Sequence, residues 1–189
     1  MFERNMTSNA HQIIRSHLKG LNKNNLVAVD GTVGNGLDLA FLMQLETVER
    51  VIGFDIQQEA INTGNNLAGE CNKHVELILD SHHHIDKYID KINIAMFNLG
   101  YLPKGDKKIV TRCETSMLAI EKTIERLADG GILTIMTYQG HDEGNKEYQK
   151  IDTYLSNFYD RSVNVFNLSL KNTYKSCPNL YVVIKNCHS

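Results

Sequence analysis

One stretch constrains this chain more than any other: Val27-Ala28-Val29-Asp30-Gly31-Thr32-Val33-Gly34-Asn35-Gly36-Leu37-Asp38. An apolar run ends in an acid, passes through a glycine-rich turn, and opens a segment of helical period. Glycine is needed where backbone must approach a ligand closely or adopt positive φ. The next apolar run, Val51-Ile52-Gly53-Phe54-Asp55, also ends in an acid, 19 residues beyond Gly36. A carboxylate at that place accepts hydrogen bonds from the ribose hydroxyls of an adenosine. The strand–turn–helix–strand context points to an adenosine-containing cofactor. The alternative is a tight βα turn followed by a helix-capping acid.

The same alternation runs along most of the chain. Candidate strands are Leu26–Asp30, Arg50–Asp55, Val75–Leu79, Ile92–Asn98, Gly131–Tyr138, Val163–Leu170 and Tyr181–Lys185. Helical periods fall at Asn9–Lys19, Asn35–Leu45, Gln57–Gly69, a short stretch near His84–Ile89, Thr115–Asp129 (closed by Gly130-Gly131) and Gly144–Phe158. Strands alternating with helices of this length indicate βαβ units around a parallel sheet. After Phe158 two extended segments follow with no helix between them, so the sheet should close with an antiparallel hairpin. The expected fold is α/β and Rossmann-like: a mostly parallel seven-stranded sheet with a C-terminal antiparallel hairpin and flanking helices. With 189 residues and no linker, one domain over 1–189 is expected, residues 1–20 forming an N-terminal helical extension.

The cofactor class can be narrowed. A dinucleotide fingerprint needs a third small residue, and Leu39 stands there. Asp30 would repel a pyrophosphate but suits the cationic sulfonium and amino group of S-adenosylmethionine, and the terminal hairpin points the same way. Candidate cofactor-binding residues are Asp30, Gly34, Asn35, Gly36, Asp38, Asp55, Gln57, Ser81, His82 and Asn98. Ser81 and His82 follow the third strand, beside the expected adenine, where a turn acid and a helix cap are the plainer alternatives.

The fourth strand ends Asn98-Leu99-Gly100-Tyr101-Leu102-Pro103. An Asn-x-x-Tyr element at this edge is similar to the (Asp/Asn)-Pro-Pro-(Tyr/Phe/Trp) motif of amino-group methyltransferases, with Leu99-Gly100 in place of the prolines. Asn98 and Tyr101 are candidate catalytic residues; a plain turn with a core tyrosine is the alternative. Lys104, Lys107, Lys108 and Arg112 form either a cationic lip beside the pocket or a solvated loop. Tyr138, His141, Lys171 and Lys175 lie in loops expected at the same edge, where tyrosine and lysine suit an unpaired base and its phosphates; ordinary polar surface is the alternative. The run His82-His83-His84 has no accompanying ligand pattern, so no metal is expected. Net charge is −2 with no polybasic tail, which excludes binding nucleic acid by bulk charge alone. Four cysteines without pairing spacing, no leader-like start and no long apolar run indicate a cytoplasmic protein with no membrane partner.

These residues resemble the MnmM-type tRNA methyltransferases, a family of rRNA-methylase-like class I S-adenosylmethionine-dependent enzymes. The matching stretches are Val29–Asp38, Phe54–Gln57, Asp80–His82, Asn98–Lys107, Tyr138–Gly144 and Pro178–Leu180. The resemblance covers nearly the whole chain. It implies N-methylation of the 5-aminomethyl group of wobble (2-thio)uridine, with a tRNA anticodon loop as partner and a homodimer left open. Asn98 and nearby carbonyls would accept the amine protons, Tyr101 would pack on the uracil, and His141 or Asp30 would relay a proton. The runner-up is methylation of an rRNA base or a small-molecule amine. Two departures stand out: Leu37, where the family commonly has histidine, and Gly31, where it often has alanine. The second is expected to be innocuous.

Overall fold

The computed structural model describes all residues except 1, 22, 70, 101–112, 140–141, 174–176 and 188–189. Its elements are α1 (Met6–Lys19), β1 (Leu26–Asp30), α2 (Leu37–Met43), β2 (Val48–Asp55), α3 (Gln58–Ala68), β3 (His74–Leu79), a 3₁₀ turn (His82–Lys87), β4 (Ile92–Leu99), α4 (Cys113–Arg126), β5 (Leu127–Thr137), α5 (Asp142–Ser156), β6 (Val163–Leu168) and β7 (Asn179–Lys185). Seven strands form one sheet in the order β3-β2-β1-β4-β5-β7-β6. The contacts among β1 to β5 are parallel, and β7 runs antiparallel to both β5 and β6. The expected sheet and hairpin are therefore both present.

Helices cover both faces, which is why the central strands are apolar throughout rather than alternating. On one face Leu26 and Ala28 of β1 meet Ala10, Ile14 and Leu18 of α1 and Leu39 and Leu42 of α2. On the other, Val29 lies in a cluster with Ile85 of the 3₁₀ turn, Ile120 and Ile124 of α4, and Ile151 and Leu155 of α5. The strand order reverses between β1 and β4, which pair with each other: the chain runs outward from β1 through β2 to β3 and then crosses back to β4 on the other side. Open α/β sheets bind ligands outside the carboxyl ends of the strands at such a point.

Three local differences from the sequence reading have physical causes. The α4 helix stops at Arg126, whereas a helix to Asp129 is expected from Leu127 continuing the apolar stripe. Leu127 instead pairs with Ile92 at the start of β4, and Gly130, at φ +72°, makes the bulge that resets the register before Ile94 pairs with Ile132. Residues 127–129 gain more as strand than as a last helical turn. The first two residues expected in α2, Asn35 and Gly36, belong to the preceding turn, where Gly36 sits at φ +75°.

The third difference concerns α1, expected as an extension. It begins at Met6, where Asn5 caps it by accepting hydrogen bonds from the amides of Thr7 and Ser8. Met6, Ala10, Ile14 and Leu18 are buried along one stripe, the spacing of a core-facing helix. The helix lies along β5: Thr7 reaches Met136 near that strand's carboxyl end, and His17 bonds the Gly130 carbonyl at 2.8 Å near its other end. The first turns of α1 therefore stand at the carboxyl edge of the sheet.

Candidate active site at the carboxyl edge of β1, β2, β4 and β5

Asp30 ends β1 and is fully buried. Its Oδ1 accepts the amide N–H of Thr32 at 3.0 Å, while Oδ2 has no hydrogen-bond partner. Burial, then the neighbouring Asp38 carboxylate and more weakly Asp55, holds the Asp30 carboxyl well above the usual range, against the opposing Thr32 amide. A buried acid with an orphaned oxygen at this edge is tolerable only where a cation or a donor is to arrive.

This predicts a stability cost at neutral pH. Asp30 keeps its proton to higher pH in the folded chain than in the unfolded one. Its contribution is complete below the unfolded pKa and is lost as pH rises through the raised folded value. Asp30→Asn keeps an acceptor for the Thr32 amide but no charge. Without ligand its Tm should exceed that of the wild type by a margin that grows from pH 5 to pH 8, while donor affinity falls about tenfold or more. At this chain length each kcal/mol moves Tm by about 2–4 °C, so thermal denaturation at the two pH values reads the effect.

The turn after β1 is tied to both neighbouring strands. Val33 donates its amide to the Phe54 carbonyl at 3.0 Å, and Gly34 donates to Asp55 Oδ2 at 2.9 Å. Asp55 Oδ1 accepts the amide of Gln57, also at 2.9 Å. On the β4 side, Thr32 Oγ1 accepts the Asn98 amide at 2.8 Å, and Gly31 donates to the Met96 carbonyl. A Cβ on Gly36 would lie 2.4 Å from Leu67 Cδ1 and would be strained besides by the positive φ.

At Gly31 the structure adds a constraint that comes from another strand. A Cβ there would lie 2.3 Å from Phe97 Cε1, so an alanine needs the Phe97 ring to move. Glycine at 31 and phenylalanine at 97 are a matched pair in this chain.

His82, Ser81 and Gln57 sit around this turn as follows. His82 is buried beneath it, with Nδ1 3.2 Å from the Gly31 carbonyl and its ring edge-on to Phe97; burial pushes it down to about 4, so it is neutral. It supports the turn through that contact, and its Nε2 is buried without a hydrogen-bond partner. Ser81 Oγ pairs with His83, and its amide donates to Asp80 Oδ1. His84 pairs with Asp80 as well, so the three histidines go to three different partners. Among the described residues no group of three or more His, Cys, Asp or Glu side chains is placed to hold a metal. Gln57 is the N-cap of α3, and its side chain makes no capping bond.

On the substrate side, Tyr138 follows β5 and Asn98 ends β4. Burial first, then the Asp38 charge, pushes the Tyr138 phenol up, while a side-chain hydrogen bond with Asn98 pulls it back. Tyr138, Asn98 and Asp38 therefore lie close together at this edge; the Tyr138 hydroxyl donates to Met136 Sδ at 3.2 Å, and Gly100 packs against the Tyr138 ring. Lys171 is exposed just beyond β6 on the hairpin side of this edge. Tyr101, Lys104, Lys107, Lys108, Arg112, His141 and Lys175 lie outside the described residues.

Sequence reasoning missed four contributors. Thr32 braces Asp30 and Asn98 at once. Ile56 and Leu79 expose 56% and 51% of their surface at the ends of the adjacent strands β2 and β3, where a flat apolar ring would cover them. Asp55 pairs with Leu79 across these strands, which puts both apolar groups at the carboxyl edge beside that acid. His11 of α1 meets Asp38 Oδ1 at 2.6 Å. An apolar residue after a strand-ending acid is a usable signal; the His11–Asp38 pairing leaves none in a linear sequence.

Comparison with known proteins bears on this edge. Residues 51–185 match the family described as "Putative rRNA methylase". A crystal structure described in the same words, from Clostridium thermocellum, is 37% identical, with a TM-score of 0.88 over 98% of this chain and 100% of that one. A "putative methyltransferase" from Streptococcus mutans, in complex with SAH, is 33% identical, with a TM-score of 0.84 over 98% of this chain and 99% of that one. The chloroplastic tRNA (mnm(5)s(2)U34)-methyltransferase of Arabidopsis thaliana is 28% identical over an alignment of 140 residues that covers 67% of this chain. The chain spans about half (51%) of that relative's length.

Proposed function

Since the chain belongs to the Putative rRNA methylase family, within the Rossmann-like class I methyltransferases, and its cofactor is S-adenosylmethionine, we propose that it N-methylates the 5-aminomethyl group of the wobble (2-thio)uridine of tRNA. The observation that carries this reading is the crevice between Asp30, Asp38, Asn98 and Tyr138. It offers acceptors and negative charge to an amine at the edge where the sheet order reverses.

The residues present fit the donor. Asp55 uses one lone pair of each oxygen on Gly34 and Gln57, and a carboxylate carries about four such sites, which leaves room for ribose hydroxyls. The orphaned Asp30 oxygen suits a cationic group, and Ile56 and Leu79 suit the faces of an adenine. When bound, the donor supplies an electrophilic methyl group on a sulfonium. The protein's part is placement: Asn98, its amide fixed by Thr32, accepts an amine N–H and directs the nitrogen lone pair. Holding the reacting atoms in line supplies most of the barrier reduction. The Arabidopsis relative's stated nucleoside carries a methylaminomethyl substituent, and the anticodon loop presents that base unpaired, so no duplex need be opened. The cytoplasmic setting and the tRNA partner are part of this proposal; among the described residues no helix is long and apolar enough to cross a membrane.

The test is direct. Protein and labelled S-adenosylmethionine are incubated with bulk tRNA from cells lacking the terminal modification, and the digested nucleosides are separated. Label is expected in the 5-methylaminomethyl nucleoside. Label confined to rRNA, or in no nucleic acid, overturns the substrate.

A further inference from the structure

The substrate amine poses a problem that Asp30, Asn98 and Tyr138 do not solve. An alkylamine is protonated near neutral pH and becomes a nucleophile only after losing that proton. Asp30 is fully buried, cut off from the water to which a proton must finally pass.

His11 has the required placement. It lies one turn into α1, at the end of that helix beside Met136 and the carboxyl edge. One ring nitrogen, Nε2, is 2.6 Å from Asp38 Oδ1. The ring stacks flat on Phe41 of α2, centroids 3.8 Å apart and planes 4° apart, and Arg15 of α1 approaches the same phenylalanine at 5.1 Å. The imidazole is therefore fixed in both position and plane. Among the described residues nothing pairs with Nδ1. The His11 side chain is 22% exposed, against 7% for Asp38, so its free edge reaches solvent while the carboxylate holding it does not.

A buried carboxylate bonded to one imidazole nitrogen fixes the tautomer with hydrogen on Nε2 and leaves Nδ1 as a base. The charged and titratable groups around it are Asp38 from α2, Arg15 from its own helix, and, through Asp38, Tyr138 after β5 and Asp30 of β1. Asp38 thus links the ring to the crevice where the amine is to sit.

Resting on the amine-methylation reading above, we propose that His11 is the proton acceptor of the reaction, with Asp38 its positioning residue. The ammonium N–H bond breaks, its electron pair stays on nitrogen, and the proton passes through water to Nδ1 at the ring's exposed edge. The imidazolium is balanced by Asp38. The freed pair attacks the methyl carbon, whose bond to sulfur breaks with its electrons remaining on sulfur. His11 then returns its proton to water at its exposed edge.

The test uses the full chain, with single-turnover methylation of the wobble nucleoside from pH 6 to 9 and donor affinity by calorimetry as the folding control. The wild-type rate should rise along an acid limb and level off. His11→Gln should bind donor within about twofold, turn over ~100-fold more slowly, and keep climbing with pH as solvent takes the proton. Asp38→Asn, which keeps size and an acceptor, should shift the acid limb downward because the imidazolium loses its counter-charge. A His11→Gln rate within threefold of wild type with the same acid limb overturns the assignment, as does an unmoved limb in Asp38→Asn. If the wild type labels a nucleoside with no ionisable amine, the substrate reading falls and the proton acceptor falls with it. If it labels the wobble amine and His11→Gln is unaltered, only the proton acceptor falls.

Discussion

Asp55→Ala should abolish measurable donor binding at concentrations that saturate the wild type. In the folded chain this carboxylate does two things with the same atoms. It accepts the amides of Gly34 and Gln57, which pins the glycine turn to β2 and starts α3, and its remaining lone pairs face the place proposed for a ribose. Hydrogen bonds to a charged group contribute about 1.5–3 kcal/mol each. Losing two from the ligand weakens binding by roughly 10²–10⁴, at tenfold per 1.4 kcal/mol. The turn loosens as well, since two half-buried amides lose their partner. Asp55→Asn is the sharper probe, because it retains the volume but must aim its NH₂ at one of those amides. Calorimetric titration with S-adenosylmethionine, beside a thermal melt to confirm folding, reads both variants. A folded Asp55→Asn that binds donor like the wild type would remove the ribose role and with it the orientation of the donor across β1 and β2.

The strands carrying these acids were legible because a strand buried on both faces must be apolar along its whole length, and an acid closing such a run is conspicuous. That logic placed Asp30, Asp55 and Asn98 at one edge and put the hairpin on the same side. It failed where long-range pairing decides. Leu127 has helical spacing from Ile120 and Ile124, yet its partner Ile92 lies 35 positions away and wins. The constraint on Gly31, the Phe97 ring, likewise comes from another strand. His11 belongs to a helix read as an appendage, and only the packing of that helix along β5 brings it to Asp38. A linear sequence reports which faces are apolar, and it is silent on which polar side chains cross between elements.

The second large effect is expected at Asn98. Its backbone and side chain have separable duties: the amide donates to Thr32 Oγ1 and so fixes the end of β4 to the turn after β1, while the side chain lies beside the Tyr138 hydroxyl. Asn98→Ala deletes only the second. Donor affinity should stay within about threefold, and kcat should fall by roughly 10²–10³, the range for removing one pre-placed polar group at a reacting centre. Thr32→Val reverses the dissection. It leaves the Asn98 amide group in place but strips the acceptor that ties its backbone to the turn after β1, so it should weaken donor binding and turnover together by loosening that turn, while the residue-32 amide still braces Asp30. Steady-state methylation of modification-deficient tRNA, with donor affinity measured in parallel, distinguishes the two patterns. Should Asn98→Ala turn over like the wild type, the amine is not held at the end of β4, and the acceptor would have to be sought on the β5 side, at Tyr138 or the orphaned, buried Thr137 hydroxyl.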